Sequence, residues 1–241
     1  MALQIWEGIF NCFEEIEEAQ DIFSSTLYQK NIRKKIERLQ AQTTSDAEYP
    51  LYGLIRILMT NKKKVKVLDF GGGAGESFYS MPDTVRNNNA LDFHVYDNKE
   101  MCLLGETLKN DNSNLKFFNI KPTSKYDIIH LGSSLQYVEH WGSLLCDLIS
   151  MSSEFILISD AFTGEIPSFV TAQDYYGMKT PFWFLNLKEV NSVFTENGYD
   201  LVMKLPYIPL VRGNREFYDM TNFPAKNRIP FSLHLLYTRT H

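Results

Sequence analysis

The sequence predicts an α/β fold in which a doubly wound, parallel sheet carries helices on both faces. From residue 65 onward, short apolar runs alternate with stretches of helical periodicity. A glycine-rich segment, residues 71–75, directly follows the first apolar run. The length of 241 residues suits one such domain with an appendage.

Seven apolar runs are the predicted strands, and turn or helix signals bound each of them. The five predicted parallel strands cover residues 65–69, 91–96, 115–119, 127–131 and 155–159. Helices are predicted between them, through residues 76–78, 101–108 and 141–149. A helix through 187–194 stops at Asn197-Gly198. Strands over 199–205 and 231–239 then follow, and the last is expected to be antiparallel.

The remaining segments are predicted to be appendages of this sheet. Residues 1–60 form a predicted N-terminal helical lid, because Ile32 and Ile36 recur at helical spacing and Pro50 is suited to open a further helix. Residues 61–241 form the main domain. Within it, residues 161–184 and 206–230 are predicted to be substrate-loop insertions, since long irregular segments in compact domains are often functional.

The composition excludes several classes of protein. A net charge of -5 and a pI near 5.6 argue against a nucleic-acid partner. Three scattered cysteines form no disulfide framework, which indicates a reducing cytoplasm. No apolar run approaches the roughly 18 to 20 residues of a membrane span. No spacing of histidine, cysteine and acidic residues indicates a metal. A cytoplasmic protein with a small-molecule partner is expected, and its oligomeric state is open.

The strongest motif is Asp69-Phe70-Gly71-Gly72-Gly73-Ala74-Gly75, between a predicted strand and a predicted helix. Open α/β sheets bind ligands at this end of the strand. A dinucleotide fingerprint, G-x-G-x-x-G, would need glycine where Glu76 or Phe78 stands, and Glu76 would repel a pyrophosphate. The segment instead resembles the D-x-G-x-G-x-G signature of class I S-adenosylmethionine (SAM)-dependent methyltransferases, with Asp69, Gly71, Gly73 and Gly75 in register.

Further cofactor contacts are predicted after the next strands. Asp97 ends the second strand, where a carboxylate can accept hydrogen bonds from both ribose hydroxyls. This fits NAD and SAM equally. Asn98 follows it and is a second candidate. The resemblance to the methyltransferases implies an adenine contact at Asn119, after the third strand, and a cofactor contact at Ser133, after the fourth.

The whole chain resembles a family of methyltransferases found with bacterial surface-polysaccharide genes. The matching segments are Trp6-Glu7-Gly8, Tyr49-Pro50-Leu51, Leu68-Asp69-Phe70-Gly71-Gly72, Gly132-Ser133-Ser134-Leu135-Gln136-Tyr137, and Gln173, Tyr175, Pro181 and Trp183. The resemblance implies a mostly parallel, seven-stranded class I fold, SAM as cofactor, S-adenosyl-L-homocysteine (SAH) as product, and a saccharide or sugar-linked acceptor. Members often carry arginine where Ala161 follows Asp160, so no role of that arginine transfers.

The candidate acceptor-side residues lie in the second half of the chain. Asp160 and His140 are the candidate general bases for a hydroxyl acceptor. The predicted walls of the acceptor pocket are Gln173, Tyr175, Tyr176 and Trp183. Arg212 and Arg215, close to Lys226 and Arg228, are predicted to bind a phosphate of the acceptor. An NAD-type oxidoreductase and an inactive SAM-binding module are the alternatives, and O- versus N-methylation is open.

Overall fold

The computed structural model describes residues 5–41, 50–109, 114–151, 154–211 and 214–240. The helices are α1 (Thr26–Ala41), α2 (Pro50–Asn61), α3 (Glu76–Tyr79), α4 (Asp83–Arg86), α5 (Lys99–Leu108), α6 (Trp141–Ile149) and α7 (Leu187–Glu196). The strands are β1 (Trp6–Phe10), β2 (Val65–Phe70), β3 (Leu91–Tyr96), β4 (Leu115–Phe118), β5 (Ile128–Gly132), β6 (Phe155–Ala161), β7 (Thr163–Gly164), β8 (Phe169–Tyr175), β9 (Met178–Asn186), β10 (Tyr199–Tyr207), β11 (Leu210–Val211), β12 (Asn214–Arg215) and β13 (Ser232–Arg239).

Seven strands form one sheet in the order β10-β13-β6-β5-β2-β3-β4. Strand β2 pairs in parallel with β3 and β5, and β3 pairs in parallel with β4. The chain steps from β2 to β3 and β4, and then returns to β5 on the other side of β2. The strand order therefore reverses between β2 and β5, where open α/β sheets bind ligands. The mostly parallel α/β sheet predicted from the sequence is confirmed, including the antiparallel final strand, β13, which pairs with β10.

Local sequence explains the strands and helix starts nearest this point. Val65, Val67 and Leu68 of β2 are fully buried, as expected for a strand covered on both faces. Helix α5 begins at the N-cap Asn98, whose Oδ1 accepts a hydrogen bond from the backbone nitrogen of Met101 at 2.8 Å.

The prediction that residues 161–184 are irregular was wrong, because most of them lie in strands. Residues 169–186 form an antiparallel hairpin of β8 and β9, which joins β1 and β7 in a four-stranded sheet. Its two-residue turn is Tyr176-Gly177, with φ of 56° and 75°, the left-handed geometry of a type I′ turn. Aromatic residues on both faces of β9 hide the two-residue period that would have indicated a strand.

The prediction of helix throughout residues 1–60 was wrong for its first part. Trp6–Phe10 is a strand that pairs with β8, and short 3-10 turns at Phe13–Glu15 and Ile22–Ser24 follow it. A strand of five residues gives little periodicity, and its partner lies far along the chain. The helices α1 and α2 are present as predicted.

The chain divides into two compact units. The glycine-turn unit comprises residues 23–134 and 148–157, and the hairpin unit comprises residues 1–22, 135–147 and 158–241. The predicted lid is split between the two units, and its closing role stays a prediction. No helix in the described parts of the chain is long and apolar enough to cross a membrane.

Candidate functional site

Within the glycine-turn unit, hydrogen bonds tie the glycine-rich turn to the end of β3. The backbone nitrogen of Gly73 donates to Asp97 Oδ2 at 2.8 Å, and that of Gly71 donates to the carbonyl oxygen of Tyr96 at 2.9 Å. Gly71, Gly73 and Gly75 all have a left-handed φ, which other residues rarely adopt. At Gly75 a Cβ would also lie 2.9 Å from Leu115 Cδ2. The structure therefore brings the three predicted glycines and Asp97 together.

Asp69 lies fully buried at the end of β2 and pairs with His130 of β5. Its Oδ1 lies 2.7 Å from His130 Nδ1, and both side chains are inaccessible to solvent. Its Oδ2 has no hydrogen-bond partner among the described residues and lies against Gly72, where a Cβ would collide with it. Sequence reasoning missed His130. A histidine in an apolar strand next to β2 was the available signal.

The electrostatics of the turn are acidic. The pKa of Asp97 is raised to about 6, chiefly by burial. Hydrogen bonds from the backbone nitrogens of Asn98 and Gly73 oppose this rise, and the carboxylates of Asp69 and Glu76 add to it. Asp97 is therefore mostly ionised at neutral pH. Glu76, in the first turn of α3, forms an ion pair with Lys35 of α1 at 2.5 Å.

The other predicted cofactor residues follow neighbouring strands of the same sheet. Asn98 uses its Oδ1 to cap α5, which leaves its amide nitrogen for a ligand. Asn119 is exposed directly after β4. Ser133 follows β5 with a left-handed φ of 55°. All three follow the carboxyl ends of parallel strands, and their contacts to a cofactor stay predictions.

Within the hairpin unit, Asp160 near the end of β6 has a polar surrounding. Its Oδ1 accepts hydrogen bonds from Ser232 Oγ and, at 3.3 Å, from Tyr218 Oη, and its backbone nitrogen lies 3.3 Å from His234 Nδ1. Asp160 has a left-handed φ of 54°, a strained geometry that is common at functional sites. Ser232 and Tyr218 were not predicted. His140, the other candidate base, is exposed directly before α6.

The predicted acceptor walls lie on different faces of the hairpin. Gln173 Oε1 accepts a hydrogen bond from Tyr137 Oη at 2.9 Å. Trp183 lies on the opposite face, where its Nε1 donates to the carbonyl oxygen of Glu139 at 3.2 Å. Tyr176 is exposed at the turn of the hairpin. The structure therefore does not bring Gln173 and Trp183 to one surface.

The basic residues predicted to bind phosphate are only partly described. Arg212 lies outside the described residues, and Arg215 is described only by its backbone pairing with Leu210. The guanidinium of Arg228 donates to the carbonyl oxygens of Phe223 and Thr221, at 2.7 and 3.0 Å, so it supports its own loop. No group of histidine, cysteine and acidic residues in the described ranges could hold a metal ion.

Comparison with known proteins defines the class of fold. No family model and no curated protein sequence matches the chain. Solved structures do match, and the architecture they share with the chain is the Rossmann-like α/β fold of class I SAM-dependent methyltransferases.

Three of these structures cover most of the chain at low sequence identity. A methyltransferase of Haloferax volcanii, solved in complex with the Trm112 methyltransferase activator, is 12% identical, with a TM-score of 0.56 over 92% of this chain and 100% of that one. Magnesium protoporphyrin IX methyltransferase from Synechocystis, solved with SAH, is 12% identical, with a TM-score of 0.52 over 88% of this chain and 96% of that one. The 1,6-didemethyltoxoflavin-N1-methyltransferase of Burkholderia thailandensis, solved with 1,6-didemethyltoxoflavin and SAH, is 13% identical, with a TM-score of 0.51 over 89% of this chain and 90% of that one.

Proposed function

We propose that this protein is a SAM-dependent methyltransferase. The observation that carries the proposal is the hydrogen bond between the turn of Gly71, Gly73 and Gly75 and the side chain of Asp97. This turn lies beside the point where the strand order of the sheet reverses, and the sheet has the methyltransferase fold. A carboxylate at Asp97 suits the two ribose hydroxyls of a nucleoside.

The charges of the turn favour SAM over a dinucleotide. Three carboxylates surround the turn, those of Asp69, Glu76 and Asp97. The Oδ2 of Asp69 is buried without a partner among the described residues. These charges would repel a pyrophosphate, whereas SAM carries a sulfonium and an ammonium cation. Bound there, SAM would supply an electrophilic methyl group. The chain's own part would be to hold the ribose at Asp97 and the adenine near Asn119.

On the acceptor side, we propose a small polar molecule as substrate. Asp160 is the preferred general base because Ser232 and Tyr218 fix its orientation, whereas His140 is exposed. Methyl transfer depends strongly on positioning and on exclusion of water, so a fixed base is more useful than a mobile one. The resemblance to the polysaccharide-associated family supports a saccharide, nucleotide-linked or phosphorylated precursor of bacterial surface polysaccharide as the acceptor.

Calorimetric titration of the protein with SAM, SAH and NAD tests the cofactor. SAM and SAH should bind and NAD should not. Asp97→Ala should weaken SAH binding by about 1.5 to 3 kcal/mol, the range for hydrogen bonds to a charged group. Asp200→Ala, at an exposed position of β10, is the matched control and should bind like the parent.

Each alternative function has a distinct outcome in these experiments. Binding of NAD but not SAM would mean an oxidoreductase and would overturn the proposal. Binding of SAM without release of SAH in the presence of any acceptor would indicate an inactive SAM-binding module. Parental SAH affinity in Asp97→Ala would show that Asp97 does not hold the ribose.

A further inference from the structure

A row of three buried polar side chains crosses the hairpin sheet, and two of them have no hydrogen-bond partner among the described residues. Trp6 of β1, Gln173 of β8 and Thr180 of β9 are register neighbours, so their side chains share one face. They are only 4, 5 and 4% exposed. Trp6 Nε1 and Thr180 Oγ1 have no hydrogen-bond partner among the described residues. The one hydrogen bond of the Gln173 side chain uses its Oε1, which leaves Nε2 without a partner in the same residues.

Two buried groups without partners, on either side of the Gln173 amide in one row, point to a ligand. More than nine-tenths of buried polar groups in proteins find a hydrogen-bond partner, and a group left without one costs about 1 to 3 kcal/mol. The nitrogen groups of the row act only as hydrogen-bond donors. An indole N–H and an amide N–H can only donate, and the hydroxyl of Tyr137 already holds the Oε1 end of the Gln173 amide. The row therefore suits a ligand that presents oxygen atoms as acceptors.

The face that carries the row has no charge. The three charged residues of β1, β8 and β9 are Glu7, Asp174 and Lys179, and their register positions put them on the opposite face. Phe182 and Phe184 lie on the same face as the row, in contact with the ring of Trp6 at centroid distances of 5.8 and 5.3 Å. A charged ligand group would be buried there without a counter-ion, which is costly.

An acid close to this face, Asp160, disfavours an anion further. The ring of Tyr218, which donates to Asp160, lies 5.5 Å from that of Trp6. Burial, with Tyr175 and Asp160 nearby, raises the pKa of Tyr137, so its hydroxyl stays neutral and continues to orient the Gln173 amide.

We infer that the row of Trp6, Gln173 and Thr180 is a binding subsite for the uncharged, oxygen-rich part of the methyl acceptor, such as the ring and hydroxyl oxygens of a saccharide. The inference rests on the proposed function and narrows it. A phosphate on the acceptor would have to be bound elsewhere. The indole and amide N–H groups donate to acceptor oxygens, and the Thr180 hydroxyl pairs with a ligand hydroxyl.

A first test needs no ligand. Thr180→Val replaces the hydroxyl with a methyl group of similar size. If the hydroxyl has no partner in the protein, the melting temperature of the variant stays the same or rises. A fall of more than about 3 °C, equivalent to about 1 kcal/mol in a protein of this size, would mean that the hydroxyl bonds within the protein and would overturn the subsite. Thr163→Val, at another buried hydroxyl without a partner in the described residues, is the matched control.

A second test uses defined probes on the SAH-saturated protein. Methyl β-D-glucopyranoside should bind the parent, and glucose 6-phosphate should bind no more tightly. Thr180→Val and Gln173→Met should each weaken hexoside binding at least about fivefold, the loss of one hydrogen bond, and Thr163→Val should not change it.

The outcomes separate this inference from the proposed function. If SAH binds but the hexoside does not, the row is not a saccharide subsite and the inference fails alone. Hexoside affinity that stays parental in both variants also overturns it. Failure of SAH to bind the parent protein counts against the methyltransferase proposal instead.

Discussion

At the scale of single residues, the candidate cofactor site concentrates three carboxylates and holds each of them by a different contact. Asp69 is held by His130, Asp97 accepts from two backbone nitrogens, and Glu76 is paired with Lys35. Burial, with the other two carboxylates nearby, raises the pKa of Asp97 to about 6. Its protonation state should therefore control ligand binding.

We expect SAH affinity to fall as the pH falls through 6. The pKa of Asp97 in the free protein is raised to about 6, and a protonated carboxyl no longer accepts hydrogen bonds from two ribose hydroxyls. At pH 5 about a tenth of the protein carries the ionised form, so the dissociation constant should be about tenfold higher than at pH 7.5. Calorimetry at both pH values measures this. Asp97→Asn should bind weakly and equally at both, and an unchanged parental affinity at pH 5 would contradict the assignment.

The proximity of residues could be predicted where each directly follows a strand of the sheet, whereas their contacts to a cofactor stay predictions. Gly71, Gly73 and Asp97 directly follow strands whose ends lie side by side, so the sequence alone placed them together. His130 and Ser232 were missed because each contributes through a partner on another strand, Asp69 and Asp160 respectively. The pairing of strands had to be known first.

At the scale of elements, α1 is the part of the predicted lid that adjoins the candidate cofactor site. It packs on α3 and α5, the helices that follow the glycine turn and Asp97. Lys35 bonds to Glu76, and Gln40 Nε2 donates to the carbonyl oxygen of Leu108 at 2.7 Å. Exposed ion pairs contribute little stability. The packing of α1 on α3 should therefore depend on whether the glycine-rich turn before α3 is rigid.

Binding of SAH should slow tryptic cleavage within α1. The helix carries several sites for trypsin, at Lys30, Arg33, Lys34, Lys35 and Arg38. A ligand that orders the glycine turn stabilises α3 and thus the contacts of α1, so local opening becomes rarer. Cleavage rates with and without SAH, followed by mass spectrometry, measure the effect. Cleavage at Lys204 of the hairpin unit is the internal control, and equal rates at α1 would count against a ligand-closed lid.

The elements that were predicted from the sequence and those that were missed differ in which of their faces are apolar. Strand β3 and helix α6 have the predicted bounds, because apolar runs and helical stripes are covered locally. The hairpin of β8 and β9 was taken for a loop, since its two faces are both aromatic and its turn begins with Tyr176 at a positive φ, where glycine or asparagine is usual.

At the scale of the whole molecule, the order of the main sheet places its last strand in the interior. Strand β13 lies between β10 and β6, although it follows both in the sequence. Its eight register pairs with β10 run from Arg239 to Ser232. Without β13, two further strands would each expose an edge of unpaired backbone groups.

Ending the chain after residue 231 should therefore abolish folding. We expect the truncated protein to be insoluble or to lose its cooperative thermal transition, measured by circular dichroism. Replacement of residues 210–215, which include the short strands β11 and β12, by a flexible linker perturbs another paired segment, and it should leave the transition close to that of the parent. A soluble truncated protein that unfolds cooperatively would contradict the role assigned to β13.

The pairing of β1 with β8 has a consequence during protein synthesis. The carbonyl oxygen of Glu7 bonds to Thr171, 164 positions further along the chain. At roughly 5 to 20 residues per second, a ribosome needs on the order of ten seconds or more to make that partner. During this time Trp6 and Phe10 lack the strand with which they pair in the folded protein. Strand β1 therefore reaches its place in the sheet only after β8, far along the chain, has been made.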